Sequence, residues 1–174
     1  MLLLTLFEIK SEVEKLADKI GAAGLHLPSY GKQENDARPY VDVNSQGYHY
    51  IVMERGQEYE HIITTDLDTL LFSIFVPITF MLAMTYELAH RIETQDSRRI
   101  TYQWQNQLLA SLSPEWANRQ AHHQAKLLQE RPFDDYQLPR ALLCRSYREQ
   151  GLSGTSAWQM AYEKYPPQPR EHDL

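Results

Sequence analysis

The amino-acid sequence predicts an α+β domain: an N-terminal helix, a three-stranded antiparallel meander, then a helical C-terminal half. Three observations carry that prediction. Leu6, Ile9, Val13, Leu16 and Ile20 recur at steps of three and four, the period of an amphipathic helix. Residues 40–63 change to short runs rich in Tyr, Val and Ile, separated by Asn, Ser and Gly, the pattern of strands joined by tight turns. From Thr65 onward the spacing is helical again, punctuated by Ser113-Pro114 and by Gly151, residues that start and stop helices.

Each element follows from local chemistry. Residues 5–23 form the first helix, closed by Gly21 and Gly24. Residues 25–39, with Pro28, Gly31, Asn35, Asp36 and Pro39, read as a loop. Strands are expected at 40–43, 48–54 and 58–63, joined by Asn44-Ser45-Gln46-Gly47 and Arg55-Gly56-Gln57. Gly56 supplies the positive φ that such a turn needs. A lone meander is marginal in water, so a helix must cover one of its faces.

Thr65 or Asp66 is the expected N-cap of a long helix running to about Glu93, with Asp68 in its first turn. Pro77 is expected to kink that helix or split it in two. A second helix spans about Asp96 to Leu112, where Ile100, Trp104, Leu108 and Leu112 repeat every fourth residue. Ser113 caps the next, with Pro114 at its first position, and it ends before Pro132. Further helices are expected over Pro139–Gln150 and Thr155–Tyr165, ahead of a Pro-rich tail, 166–174, read as flexible. The whole of 1–174 reads as one domain, with no internal repeat.

Composition narrows the function. The chain is 43% hydrophobic and 23% charged, as folded proteins are. Its formal net charge of −6 and lack of any basic cluster argue against a nucleic-acid partner. The acidity is uneven: residues 1–87 hold 13 acids and 6 bases, a net of −7, and residues 88–174 hold 10 acids and 11 bases, a net of +1. Such asymmetry suits an acidic face that meets a basic partner, and it equally suits a solvated surface. A single cysteine, Cys144, excludes an internal disulfide framework and reads as a buried helical residue.

The apolar start, Met1 to Phe7, has no basic n-region and no cleavage site before Glu8, so it reads as helix. The 15-residue run from Leu70 to Met84, interrupted by Ser73, Pro77 and Thr79, falls short of the roughly 20 residues of a membrane span and reads as a core helix. No membrane partner is therefore expected, and the expected location is the cytoplasm.

Residues that could carry chemistry are scattered. The seven histidines are His26, His49, His61, His90, His122, His123 and His172, and none forms a zinc-hydrolase helix pair. His49 and His61 fall on successive strands and could meet across the hairpin. Glu58 and Glu60 are two apart, so both are expected on one face of their strand, and Asp134-Asp135 lie in a loop. There is no phosphate-binding glycine loop and no nucleophile elbow. Trp104, Trp116 and Trp158 read as core anchors. No metal, no cofactor and no catalytic residue is expected.

The pattern as a whole resembles a known family. Tyr50-Ile51-Val52-Met53-Glu54-Arg55-Gly56-Gln57-Glu58 is similar to the apolar strand followed by E-R-G-x-E of the immunity protein 63 family. The stretch from Thr64 to Leu71 resembles that family's entry into its long helix. Asp96-Ser97-Arg98-Arg99, the segment Leu108 to Trp116, and Leu127-Leu128 ahead of Pro132-Phe133-Asp134-Asp135 are similar to the rest. The likeness spans about 40–136 and brings no catalytic signature. It implies an antidote from bacterial toxin–immunity systems: a cytoplasmic protein that neutralises one cognate toxin domain, such as a basic nuclease-like effector, in a tight one-to-one complex.

On that reading function lies in a surface, and the expected partner-binding residues are Glu54, Arg55, Glu58, Tyr59 and Glu60. Tyr and Arg are common binding anchors, although Glu54 and Arg55 could instead form a structural ion pair. The free chain is expected as a monomer or weak homodimer. A rival reading is a small hydrolase using Glu58, Glu60 and His61; a weaker one is a peripheral membrane protein using Met1–Phe7 and Leu70–Met84.

Overall fold

Thr5 starts the first helix, α1 (Leu6–Lys19), with a reciprocal cap: its hydroxyl accepts from the Glu8 amide while the Glu8 carboxylate accepts from the Thr5 amide. The computed structural model describes residues 3–22, 24, 27–33 and 38–167. Expectations on Met1, Leu2, His26, Asn35, Asp36, His172 and the tail beyond residue 167 lie outside these described residues. The remaining elements are β1 (Ser29–Tyr30), β2 (Tyr40–Asn44), β3 (Gly47–Glu54), β4 (Gln57–Thr64), α2 (Leu67–Ala89), α3 (Ser97–Leu112), α4 (Pro114–Glu130), α5 (Gln137–Glu149) and α6 (Gly154–Lys164). The α+β class holds.

The sheet has four strands in the order β1-β2-β3-β4, not the three expected. β2, β3 and β4 form the antiparallel meander; β1 is added parallel to β2, pairing Ser29 with Tyr40 and Tyr30 with Val41. The Ser29 amide donates to the Pro39 carbonyl, and the Gly31 amide to the Val41 carbonyl. Arg38 braces the approach by donating to the carbonyls of Leu27 and Gly24. Two residues are too few to show alternation, so a strand of this length leaves no periodic signal.

Packing divides the chain into two compact units, Met1–Leu82 with Gln105–Gln120, and Ala83–Trp104 with Ala121–Leu174. In the first unit one face of the sheet, carrying Val41, Tyr48 and Tyr50, is buried against Ile9 and Val13 of α1 and Leu70, Ile74 and Phe75 of α2, with Leu109 and Trp116 completing the core. The Trp116 indole N–H donates to Asp68 Oδ1 at 2.7 Å, and its ring stacks on Phe75. In the second unit Cys144, Ala157 and Ala161 are buried where α5 meets α6. Tyr86 stacks between His90 and Trp104, each 3.9 Å away by ring centroids. Trp158 is 42% exposed and is not a core anchor.

Helix α2 is capped by Asp66, whose carboxylate accepts from the amide and hydroxyl of Thr69. It continues through Pro77 unsplit and stops at Ala89, short of Glu93. Around the proline, the Thr79 hydroxyl donates to Phe75 O and the Gln105 amide donates to Val76 O at 3.1 Å. These side-chain donors hold backbone acceptors beside the ring that has no N–H to offer. By length and composition α2 could cross a membrane. Leu70, Ile74, Phe75 and Ile78 place one of its sides in the core, whereas Phe80, Met81, Met84 and Leu88 are exposed.

The two glycines of the hairpin do different work. Gly56 (φ 76°) follows Arg55 (φ 52°) in a two-residue turn between Glu54 and Gln57, the type I′ geometry that matches strand twist. Gly47 has φ 136°, and a Cβ there would lie 2.5 Å from the Thr64 carbonyl oxygen. Gly47→Ala is therefore expected to cost about 3 kcal/mol, by strain plus collision with backbone, and Gly56→Ala only about 1 kcal/mol. Chemical denaturation of the two variants checks the ranking.

Candidate functional site

The hairpin acids are sorted by a β-bulge. Val52 faces Glu60 across the ladder and Met53 faces Glu58, so Tyr59 is the extra residue between them. The expectation that Glu58 and Glu60 share a face is thus corrected: strict alternation puts them together, and the inserted residue turns them apart. Glu60 falls on the side of Val52, Tyr50 and Ile62, the core side. Glu58 falls with Met53, Ile51 and His49 on the outer side.

On the outer side a chain of polar contacts forms. Glu58 Oε2 lies 3.2 Å from His61 Nδ1, and His61 Nε2 lies 2.8 Å from His49 Nδ1. The expected meeting of the two histidines is therefore present, with ring centroids 5.1 Å apart. A carboxylate only accepts, so His61 Nδ1 carries hydrogen toward Glu58; His61 Nε2 then accepts from His49 Nδ1–H in the neutral tautomers. His49 is 5% exposed, and its Nε2 is buried with no partner, which fits that end of the ring as the bare lone pair. No group of three or more potential metal ligands occurs among the described residues.

On the core side a groove of about 440 Å³ is lined by residues of β4 and α2. Its walls are mainly apolar, including Val52, Ile62, Phe72, Val76 and Pro77, and Tyr59 and Glu60 stand at it. Tyr59 is 76% exposed. Burial pushes the Tyr50 hydroxyl well above the ordinary tyrosine range, and the Glu60 charge adds to that. A smaller recess of about 200 Å³ shares Pro39, Tyr50 and Pro77 with the groove. Of the residues at this groove, Tyr59 and Glu60 are among those expected from sequence to bind a partner, and those of the helix wall are not. Ser73 and Pro77, which interrupt the apolar run four residues apart and so lie on one helix face, were the available signal.

Glu54 and Arg55 occupy the exposed hairpin tip, and no ion pair joins them among the described residues. The tip, the outer chain and the groove rim are thus three separate places. The trio Glu58, Glu60 and His61 of the hydrolase reading does not converge, because the bulge separates Glu60 from the other two.

The second unit has its own polar recess, about 230 Å³, lined by Glu87, Arg91, Gln95 and Asp96 among others. Its charges are already matched. Arg91 makes a two-pronged contact with Glu87 at 2.8 Å on each side. Asp96 accepts from the Arg98 guanidinium and the amides of Arg98 and Asp134, while Asp135 accepts from the Asp96 amide and from Arg99. Asp134-Asp135, a candidate acid pair by sequence, are therefore the anchors of a loop, with Asp134 also held by Arg140. Burial pushes the Asp96 carboxyl up, but the Arg98 guanidinium and the two amides outweigh it and hold it below the usual range.

A carboxyl lowered in the folded state stabilises above its unfolded value and loses that contribution as pH falls through the folded one. Asp96→Asn is therefore expected to lower stability by about 2 kcal/mol at pH 7, with the gap to the unaltered chain closing below about pH 4. Thermal melts across pH 3–8 check it.

A family model described as immunity protein 63 matches residues 44–126. No curated protein and no solved structure matches the chain. The matched stretch covers just under half of the sequence and takes in β3, β4, α2, α3 and most of α4, with Glu54, Arg55, Glu58, Tyr59 and Glu60 all inside it. The resemblance carried by the hairpin and the helix entry is thus shown over this stretch: from 44 to 126 the chain has the sequence pattern of the immunity protein 63 family.

Proposed function

We propose that this protein is the immunity partner of a bacterial toxin domain, which it neutralises by forming a tight inhibitory complex in the cytoplasm. The observation that carries this reading is the match to immunity protein 63 over the hairpin and the helices that follow it. The mode of action is occlusion: the protein covers a surface that the toxin needs and turns nothing over. Catalysis is not required by any part of this account.

Electrostatics supports the same reading. The first compact unit holds 13 acidic and 7 basic residues, a net of −6, and the second holds 10 of each. The whole formal charge thus belongs to the unit that bears the hairpin. Within that unit the ion pairs of Lys10, Lys15 and Arg119 neutralise acids on the helices, Glu14, Glu12 and Asp68. Glu54 and Glu60 have no cationic partner among the described residues, and Glu58 has only His61. Excess negative potential at an exposed edge accelerates encounter with a basic protein and raises its specificity. We assign the contact region to Glu54, Arg55, Glu58, Tyr59 and Glu60, and the partner to a basic, nuclease-like toxin domain. On this reading the free chain is a monomer or weak homodimer.

Co-expression with the toxin domain encoded immediately upstream tests the function. Survival of the cells and co-purification of a one-to-one complex is the expected result; death without a complex would reject it. Because the attraction is charge-led, raising the salt from 0.05 to 0.5 M is expected to slow association about tenfold or more. Stopped-flow mixing at the two salt concentrations measures the change.

A further inference from the structure

The hairpin acids stand in three different settings, and only one of them is built to enclose a partner's side chain. Glu54 lies at the open tip. Glu58 is engaged by His61 on the outer side of the sheet. Glu60 alone stands over a concavity, the groove between β4 and α2, whose walls are otherwise apolar and polar only at Ser73 and the tyrosines. It is exposed and has no cation opposite it among the described residues.

An apolar channel with one unneutralised carboxylate at its rim fits a particular chemistry. An arginine or lysine has an aliphatic stem that gains from leaving water and a charged head that must keep a partner. The same unit already shows this mode internally: Arg119 lies 3.9 Å over the Phe72 ring while its guanidinium reaches Asp68 Oδ2. Phe72 also lines the groove, with Val76. Tyr59, pushed outward by the bulge, supplies a broad exposed ring next to Glu60, and such rings stack on guanidinium planes.

We propose that the groove between β4 and α2 receives a basic side chain of the toxin, most simply an arginine, with its stem along Phe72, Val76 and Pro77 and its charge on Glu60. The proposal rests on the immunity reading and deepens it, by placing the energetic centre of the interface inside the groove and leaving Glu54 and Glu58 at the rim. It also gives the β-bulge a function. Without the extra residue, Glu58 would share a face with Glu60 and Ile62, and Glu60 would no longer be the single charge at the groove.

The test uses the full chain and the toxin domain encoded beside it, with affinity read by isothermal titration. Glu60→Gln removes the charge at nearly constant volume and is expected to weaken binding about tenfold. Glu60→Lys and Ser73→Arg should weaken it about a hundredfold, the first by repulsion and the second by placing an arginine in the groove from within. Glu58→Gln, outside the groove, should weaken binding less than Glu60→Gln does, and Glu149→Lys, in the second unit, should change affinity less than about threefold. Circular dichroism melts show that each variant is folded; should Ser73→Arg fail to fold, the two exposed Glu60 variants decide.

Binding that survives the groove variants but falls with Glu58→Gln would overturn the proposal and leave the immunity reading intact. Absence of binding by the unaltered chain would reject both. Light scattering on the free chain covers the other occupant: a dimer that Ser73→Arg dissociates, with toxin affinity unchanged, would make the groove a self-association face and overturn the proposal.

Discussion

The β-bulge at Tyr59 is the constraint on which the functional geometry depends. One extra residue opposite Val52 and Met53 reverses the sidedness of β4 beyond it. Without it, Ile62 could face the core only if Glu58 did too, and His61 would lose its carboxylate. With it, Ile62 joins the apolar core, Glu60 is brought to the groove, and Glu58 reaches His61 on the far side. A bulge also suits β4 as the outermost strand of the sheet, because twisting an edge and loading it with charge discourages unwanted strand pairing. The same residues protect an edge and, under the proposed function, present the binding surface.

Around that edge the first unit is organised so that polar demands are met at depth and left open at the rim. The Tyr48 side chain runs through the core and its hydroxyl accepts from the Leu4 amide at 2.9 Å. Gln105 and Thr79 supply donors beside Pro77, and Asp68 holds Trp116 and Arg119. Buried groups without partners are costly, so these contacts fix one register of helix against sheet. The acids of the hairpin are not drawn into any such network, apart from Glu58. Charge that the fold does not consume is available for recognition.

The parts of the fold legible in the sequence were those with periodicity or strong capping chemistry. The 3.6-residue spacing in α1, the alternation in β2 to β4, and Ser113-Pro114 at the start of α4 each have one dominant structural solution. β1 was illegible because two residues cannot alternate, and its pairing is made by backbone groups that carry no side-chain signal. Pro77 is expected to kink or split α2 because the sequence does not show how the helix is held around the proline, and the helix runs through it unsplit. The candidate site was legible by residue type, since Tyr59 and Glu60 were marked. It was illegible by face, because the bulge is set by long-range pairing between strands and not by Tyr59 itself. Phe72, Val76 and Pro77 are not legible as groove residues for a related reason: residues in an apolar helix run read as core until the groove beside the strand is seen.

The proposed function and the proposed groove contact make one physical picture, in which an acidic protein is drawn to a basic toxin and closes on one of its side chains. The match to immunity protein 63 and the unneutralised edge of the first unit support it. The most direct measurement is methyl NMR of the full chain during titration with the toxin domain. The account predicts that the methyls of Val52, Ile62 and Val76 shift and saturate at one equivalent, while those of Ile51 and Ile63 on the outer side of the sheet stay in place. Shifts confined to Ile51 and Ile63, with the groove methyls unmoved, would contradict it.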